Sequence, residues 1–404
     1  MSFINLNKFI SEKVTFRETS FFKSDIEKNA DELSAAIKGK SVLVIGGAGT
    51  IGSSYIKAVL KFLPSSLYVI DINENGLTEL TRDLRSSNDI VVPSIYNTYP
   101  INFSDTVFEK IFKNEGPFDI VANFAAHKHV RSEKDHYSIE AMIENNAFKA
   151  KTLLDLLSTQ PPEKFFCVST DKATNPVNVM GATKKLMEEV IMSYADVLPI
   201  TTARFANVAF SNGSLLFGYL ERIMKRQPLS CPSDVKRFFV SPEESGQICM
   251  LACMLGKTGD IFFPKLEESQ MEFFKDITDR FIEEIGYQVD LCSSETEAKG
   301  KAVALKQNSD AYPVYYFKTN TSGEKLFEEF YAEKDIVQLD SFQSLGVIKN
   351  SIKREREDID KMINELKGSM SSGNVSKAKI VEMISKFIPD FAHIETGVGL
   401  DQKM

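Results

Sequence analysis

Apolar residues along the chain gather in short unbroken runs, separated by longer stretches with helical spacing, and this alternation predicts a doubly wound α/β fold. The first run, SVLVI at 41–45, is continuous rather than alternating, as expected of a strand buried on both faces. Similar runs at 67–70, 90–95, 118–123, 165–168 and 199–203 supply the remaining strands of a parallel sheet. An apolar helix reaching about residue 62 follows the first strand, and another carries Cys249 and Cys253 at i, i+4. Before the first strand, 25–37 has a helical pattern ending at Gly39 and reads as a packed arm. Beyond the last strand the pattern predicts a strand within 257–265, a helix over 276–286, a polar loop or edge over 295–308 and a strand opening 312–330. A charged helix over 352–366, a linker at 368–374 and a helix over 377–387 close the chain.

The 404 residues suffice for two domains or for one large domain with an appendage, and 43% apolar content supports a full core. A formal charge of −8 excludes a nucleic-acid or acidic-membrane binder, which concentrates Lys and Arg to displace counterions. The five cysteines form no CxxC pair, which predicts reduced thiols and a cytoplasmic protein. No apolar run approaches the roughly 20 residues of a membrane span, and the amino terminus lacks the apolar core of a signal peptide.

The strand at 41–45 runs directly into GGAGTIG. Gly46, Gly49 and Gly52 form a GxxGxxG fingerprint in the required strand-to-helix context, with Thr50 and Ile51 opening the helix; these five are expected to hold a dinucleotide pyrophosphate. Asp71, 19 residues past Gly52 at the end of the second strand, is placed to bind ribose hydroxyls and to repel a 2′-phosphate, which favours NAD over NADP. Asn102 is expected near adenine, and the small Ala125 and Ala126 let the cofactor approach the backbone.

The densest chemistry lies in FCVSTDKATNPVNVMGATKK, 166–185. A strand delivers Ser169, Thr170, Asp171 and Lys172 at its carboxyl end, and the following helix sets Met180 and Lys184 on one face. The order STDKAxxPxNxMGxTK resembles the active-site segment of sugar-nucleotide 4,6-dehydratases in the extended short-chain dehydrogenase superfamily, the polysaccharide-biosynthesis group acting on UDP-N-acetylglucosamine. Most of the superfamily has Tyr at the position of Met180, and the methionine resembles one subgroup. FAAHKHV, RFANVAFSNGS, DVKRFFV and TSGEKLFEEF extend the resemblance, although Arg131, Ala206, Phe210, Thr321 and Ser322 depart from the usual residues.

The resemblance implies a Rossmann-type sheet with a smaller substrate domain and a helical tail: an arm (1–40), an NAD-binding domain (41–205), a mainly substrate-binding region (206–346) and a tail (347–404). It implies a soluble homo-oligomer that serves surface-glycan or protein-glycan synthesis. Lys184 is expected to hold the nicotinamide ribose, Thr170 the C4 oxygen, Asp171 to act as the acid at C6 and Lys172 as the base at C5, the last two with pKa values moved toward neutrality. Met180 shapes the pocket. Lys128, Asn207 and Arg237 are the expected substrate contacts, with Arg237 on the diphosphate. Asn146 is expected to tie its helix to the neighbouring strand. His127 and His129, without metal-ligand partners, read as structural or substrate-shaping, and no metal is expected. A sugar-nucleotide epimerase and a non-catalytic NAD-binding regulator stay open as other readings.

Overall fold

The computed structural model describes residues 4–306, 308–320, 322–323, 325, 328–349, 354–371, 373 and 375–397; Thr321 and Glu324 of the TSGEK motif lie outside them. Seven parallel strands form the body of one sheet: β1 (Ser41–Ile45), β2 (Ser66–Asp71), β3 (Ile95–Pro100), β4 (Ile120–Asn123), β5 (Lys164–Val168), β6 (Ile200–Ala203) and β7 (Asp260–Pro264). Two antiparallel strands, β8 (Ile336–Gln338) and β9 (Leu345–Lys349), extend it beyond β7. The order β8-β9-β7-β6-β5-β4-β1-β2-β3 reverses direction between β1 and β4. At such a switch point the strand ends diverge and leave a crevice for a ligand.

Helix α1 (Thr50–Leu60) packs on α5 (Pro242–Leu255) in one layer, while α2 (His136–Ile143), α3 (Lys149–Leu157) and α4 (Val179–Met192) pack together in another. A capping box between Ser241 and Glu244, with Pro242 just inside, fixes the start of α5. Glu244 also receives Arg17 at 2.6 and 2.8 Å, so the amino-terminal arm is strapped across this layer.

Two hydrophobic cores result. The larger joins the sheet, its helices and the arm residues Phe22, Leu33 and Ile37. The smaller joins Phe9, Ile10 and Val14 to residues from Ala209 to Val314 around a three-stranded sheet of Leu229–Pro232, Gln288–Cys292 and Ala311–Phe317. The 206–346 stretch is therefore shared between the cores, since β7, β8 and part of β9 return to the large sheet.

Four local expectations need correction. The third strand lies at 95–100, not 90–95: Pro93 has no N–H for a ladder bond, and pairing to β2 begins only beyond it. The arm helix breaks at Asn29, whose amide side chain bonds to the Asp25 carbonyl, giving Lys23–Lys28 and Ala30–Ile37. The polar stretch at 295–308 contains a helix, Glu295–Val303, capped by Ser294 and anchored by buried Ala298 and Ala302. Small anchors hid its apolar face. The expected linker at 368–374 is partly helical, because α6 (Arg356–Ser371) runs through Gly368 and packs Met370 toward the core; Ser372 and Asn374 lie outside the described residues. The final helix, α7 (Lys377–Phe387), stands where its periodicity places it.

Candidate active site

The glycine-rich turn is held from both sides. Gly46 has φ +76°, and a Cβ there would lie 2.6 Å from the Ala125 nitrogen, so only glycine fits both the conformation and the passing chain after β4. A Cβ on Gly52 would stand 2.3 Å from the Gly46 carbonyl oxygen. Gly49 differs: its added Cβ meets only ordinary contact, at 3.5 Å. The protein does not demand glycine there, and the open side of Gly49 is the approach a pyrophosphate needs. Gly49 caps α1, so the free amides of Thr50, Ile51 and Gly52 form a helix N-terminus suited to an anion.

Asp71 ends β2 and accepts from the Ala48 amide at 2.9 Å, tying the acid to the turn. Its other oxygen accepts from Asn73 N, also at 2.9 Å. Asn102 sits just beyond β3 with its side-chain oxygen committed to Ser104 N and Oγ, at 3.1 and 2.9 Å, which gives it a turn-forming role. The Thr50 hydroxyl accepts from Asn212 N at 2.9 Å and links the turn to the loop after β6.

A cleft of about 680 Å³ lies at the carboxyl ends of the strands. It is lined by Thr170, Asp171, Lys172, Met180 and Lys184, with Ile51, Ala126, Lys128 and Asn207 around them. Gly46, Gly49, Thr50, Gly52, Asp71, Asn102 and Ala125 are not in its lining, and Arg237 belongs to a smaller adjoining cleft of about 180 Å³. Lys172, Asn207, Val130 and Phe274 line both.

After β5 the chain makes a single 3₁₀ turn, Asp171–Ala173, with Thr170 at its start. The Thr170 hydroxyl donates to Asp171 Oδ1 at 2.7 Å, and the same oxygen accepts from Lys172 N at 2.9 Å and Lys172 Nζ at 3.1 Å. Lys172 Nζ also lies 3.2 Å from Glu328 Oε1. Burial alone would lower the Lys172 pKa, but the carboxylates of Asp171 and Glu328 outweigh it and hold the ammonium above its ordinary value. This reverses the expected shift toward neutrality.

Asn178 caps α4 by accepting from Gly181 N at 2.7 Å, which sets Met180 and Lys184 on the cleft side of the helix. Lys184 is buried, donates to the Val168 carbonyl at 2.6 Å, and has its pKa lowered chiefly by desolvation. Lys128 faces the cleft, where desolvation lowers its pKa as well. Arg237 is buried: Nη1 and Nη2 donate to the Lys236 and Lys325 carbonyls, both at 2.9 Å, and Nε lies 3.4 Å from Glu328 Oε1. Its charge thus already has a counter-ion. Asn146, expected to tie its helix to the neighbouring strand, instead ties it to the loop after β4 and to α4, accepting from His127 N at 2.8 Å and donating to the His127 carbonyl and Thr183 Oγ1 at 2.9 and 3.0 Å. It does so from a π-turn, Glu144–Phe148. Partial desolvation is the largest influence lowering the pKa of His127 and His129, although both keep exposed surface, and His129 lies against Gly213 at the cleft wall.

Three groups at the site were not singled out from the sequence. Glu328 is one, although it lies within the TSGEKLFEEF motif. Beneath the STDK turn, Glu188 accepts from Ser169 Oγ at 2.6 Å and pairs with Arg204 at 2.7 and 2.8 Å, while Arg204 also reaches Thr174 Oγ1 at 3.0 Å. At the other end of the segment, Glu133 accepts from Val179 N at 2.7 Å and from His393 Nε2 and Lys377 Nζ at 2.6 and 3.2 Å. The tail also runs along the loop before α4, with Ala392 N and Ile394 N donating to the Pro176 and Val177 carbonyls at 3.0 and 2.9 Å.

Strand order, glycine turn and convergent polar cleft define an α/β protein of the doubly wound class. Within that class the chain belongs to the polysaccharide biosynthesis protein family, which matches residues 42–350. It is 32% identical over 326 residues to the protein named "Uncharacterized membrane protein MJ1061" of Methanocaldococcus jannaschii, covering 78% of this chain and 88% of that one. It is 26% identical to the probable polysaccharide biosynthesis protein EpsC of Bacillus subtilis, covering 78% of this chain but only 51% of EpsC, so it spans about half the length of that relative. Among solved structures, Pen from Bacillus thuringiensis superposes with a TM-score of 0.63 at 22% identity, over 81% of this chain and 98% of Pen, a likeness of fold. Among the described residues no helix is long and apolar enough to cross a membrane.

Proposed function

We propose that the chain is an NAD-dependent sugar-nucleotide 4,6-dehydratase that converts UDP-N-acetylglucosamine to the 4-keto-6-deoxy sugar nucleotide. The observation that carries this reading is the convergence of Thr170, Asp171 and Lys172 beside Met180 and Lys184 in one cleft. A methionine cannot exchange a proton, so acid and base must come from the Asp–Lys pair, and water loss needs both. The open side of Gly49, the helix N-terminus and Asp71 fit the pyrophosphate and ribose of NAD, and the Asp71 carboxylate disfavours a 2′-phosphate. Bound there, NAD supplies the means to take a hydride from C4 and return it at C6.

The residues, with water in the cleft, account for the protons. The Thr170 hydroxyl, already donating to Asp171, relays the O4 proton to that carboxylate. Asp171 is then the acid that protonates the departing C6 hydroxyl. Protonating Asp171 also removes one of the charges that hold Lys172 as an ammonium; desolvation, the largest influence on that amine, then favours release of one ammonium proton to water in the cleft, and the free base takes the C5 proton. The same ammonium returns a proton to C5, Asp171 ends ionised, as it began, and the free amine regains from water the proton it released. Lys184 orients the nicotinamide ribose. A cytoplasmic homo-oligomer completes the proposal.

The test is mass spectrometry of UDP-N-acetylglucosamine incubated with the purified protein and NAD. A product lighter by one water, without net NADH, is expected. Asp171→Asn and Lys172→Ala should each lose roughly 10²–10⁴-fold in turnover while still binding NAD. A new isomer of unchanged mass would make the chain an epimerase, and no reaction with UDP, GDP or dTDP sugars would favour a cofactor-binding regulator.

A further inference from the structure

Among the described residues that line the small cleft, Glu328 carries a buried carboxylate oxygen without a hydrogen-bond partner. Its side chain is 3% exposed, and Oε1 is shared between Lys172 Nζ at 3.2 Å and Arg237 Nε at 3.4 Å. Oε2 is buried without a hydrogen-bond partner. A carboxylate oxygen shut away from water without a donor is costly, so a donor brought by a ligand would stabilise it. Glu328 lines the 180 Å³ cleft, which shares Lys172 and Asn207 with the main cleft.

The chemistry of the partner follows. Phosphate oxygens are acceptors and anions near neutral pH, so Oε2 repels a diphosphate. A hydroxyl or an amide N–H satisfies it. Three cations, Lys172, Arg237 and Lys325, line this cleft, yet the first two already share Glu328. Arg237, which the sequence points toward the diphosphate, is thereby engaged on the donor-accepting side. Resting on the sugar-nucleotide reading above, we propose that Glu328 is a substrate-contacting residue whose carboxyl turns its free Oε2 toward the small cleft and accepts a hydrogen bond from a hydroxyl or amide of the hexose, so that the sugar and not the diphosphate enters the small cleft. Its Oε1 meanwhile positions Lys172.

Glu328→Gln keeps the shape and removes the charge. Isothermal titration with UDP and with the 6-deoxy analogue of UDP-N-acetylglucosamine, which has no leaving hydroxyl, separates the two halves of the ligand. The variant should bind the intact analogue about 10-fold more weakly and UDP as wild type does. With one carboxylate fewer beside Lys172, the limb of the pH–rate profile that reports this amine should also move to lower pH. An unchanged melting curve and NAD affinity establish that the variant is folded; if it does not fold, Glu328→Asp, which withdraws the carboxylate by one methylene, takes its place with the same expected contrast. Equal losses for UDP and the analogue, or no loss for either, would overturn the hexose contact. A contrast between the ligands in a wild-type protein that releases no water would refute the dehydratase and leave the subsite standing.

Discussion

Arg204→Met probes the pair under the STDK turn. Arg204 and Glu188 are 3% and 2% exposed, and the guanidinium grips both carboxylate oxygens. Burial alone would raise the Glu188 pKa, but Arg204, with help from Lys185 and Ser169, brings it down to about 2 against an ordinary 4.5. At roughly 1.4 kcal/mol per pH unit, that difference contributes about 3 kcal/mol at neutral pH. The folded pKa is the lower one, so the contribution is complete above about 4.5 and is lost as pH falls toward about 2. Removing the guanidinium leaves a buried carboxylate with only Ser169 at 2.6 Å and Lys185 at 3.5 Å, and breaking such a pair from one side costs about 3–5 kcal/mol. Urea unfolding followed by far-ultraviolet circular dichroism suits a chain without tryptophan. The expected loss at pH 7 is about 3 kcal/mol, because the two remaining partners place it at the low end. Below pH 5 the loss should shrink, since protonating Glu188 removes the unpaired charge in the variant while wild type forfeits its ionic term. Glu188→Met in the same chain should recover much of the stability. A loss independent of pH between 7 and 4 would refute the ionic account and leave only packing.

Gly49→Ala should fold with near wild-type stability yet bind NAD more weakly, because its Cβ clashes with nothing in the protein; equal NAD affinity would mean that no ligand lies against it. Gly46→Ala should lose both, with at least about 1–2 kcal/mol from the left-handed backbone before the clash with Ala125 is counted, read by urea unfolding. Glu133→Ala removes the acceptor shared by Val179 N, His393 and Lys377. The expected cost is about 0.5–2 kcal/mol, as for a lost helix cap, with faster proteolysis of the tail and lower turnover; an unchanged cleavage pattern would show that the tail is held by other contacts.

How far the sequence could be read followed from where each constraint lies. β1 with its glycine turn, and β5 with STDK and the MxxxK helix, were legible because strand, turn and cap follow one another within about 20 residues, so pattern alone sets the geometry. β3 was misplaced because its apolar residues precede Pro93, which cannot join the ladder. Glu295–Val303 was missed because alanines, not large apolar residues, mark its buried face. The pairing of Glu328 with Lys172 spans 156 residues and that of Glu133 with His393 spans 260; no local spacing encodes either. The same separation explains why the Lys172 shift was expected with the wrong sign. Asp171 alone is visible beside it in the sequence, whereas the second carboxylate, which helps outweigh burial, arrives from the far side of the fold. The resting charge of Lys172 is thus set by the whole chain, and in the dehydration proposed above its working charge follows the proton that Asp171 receives.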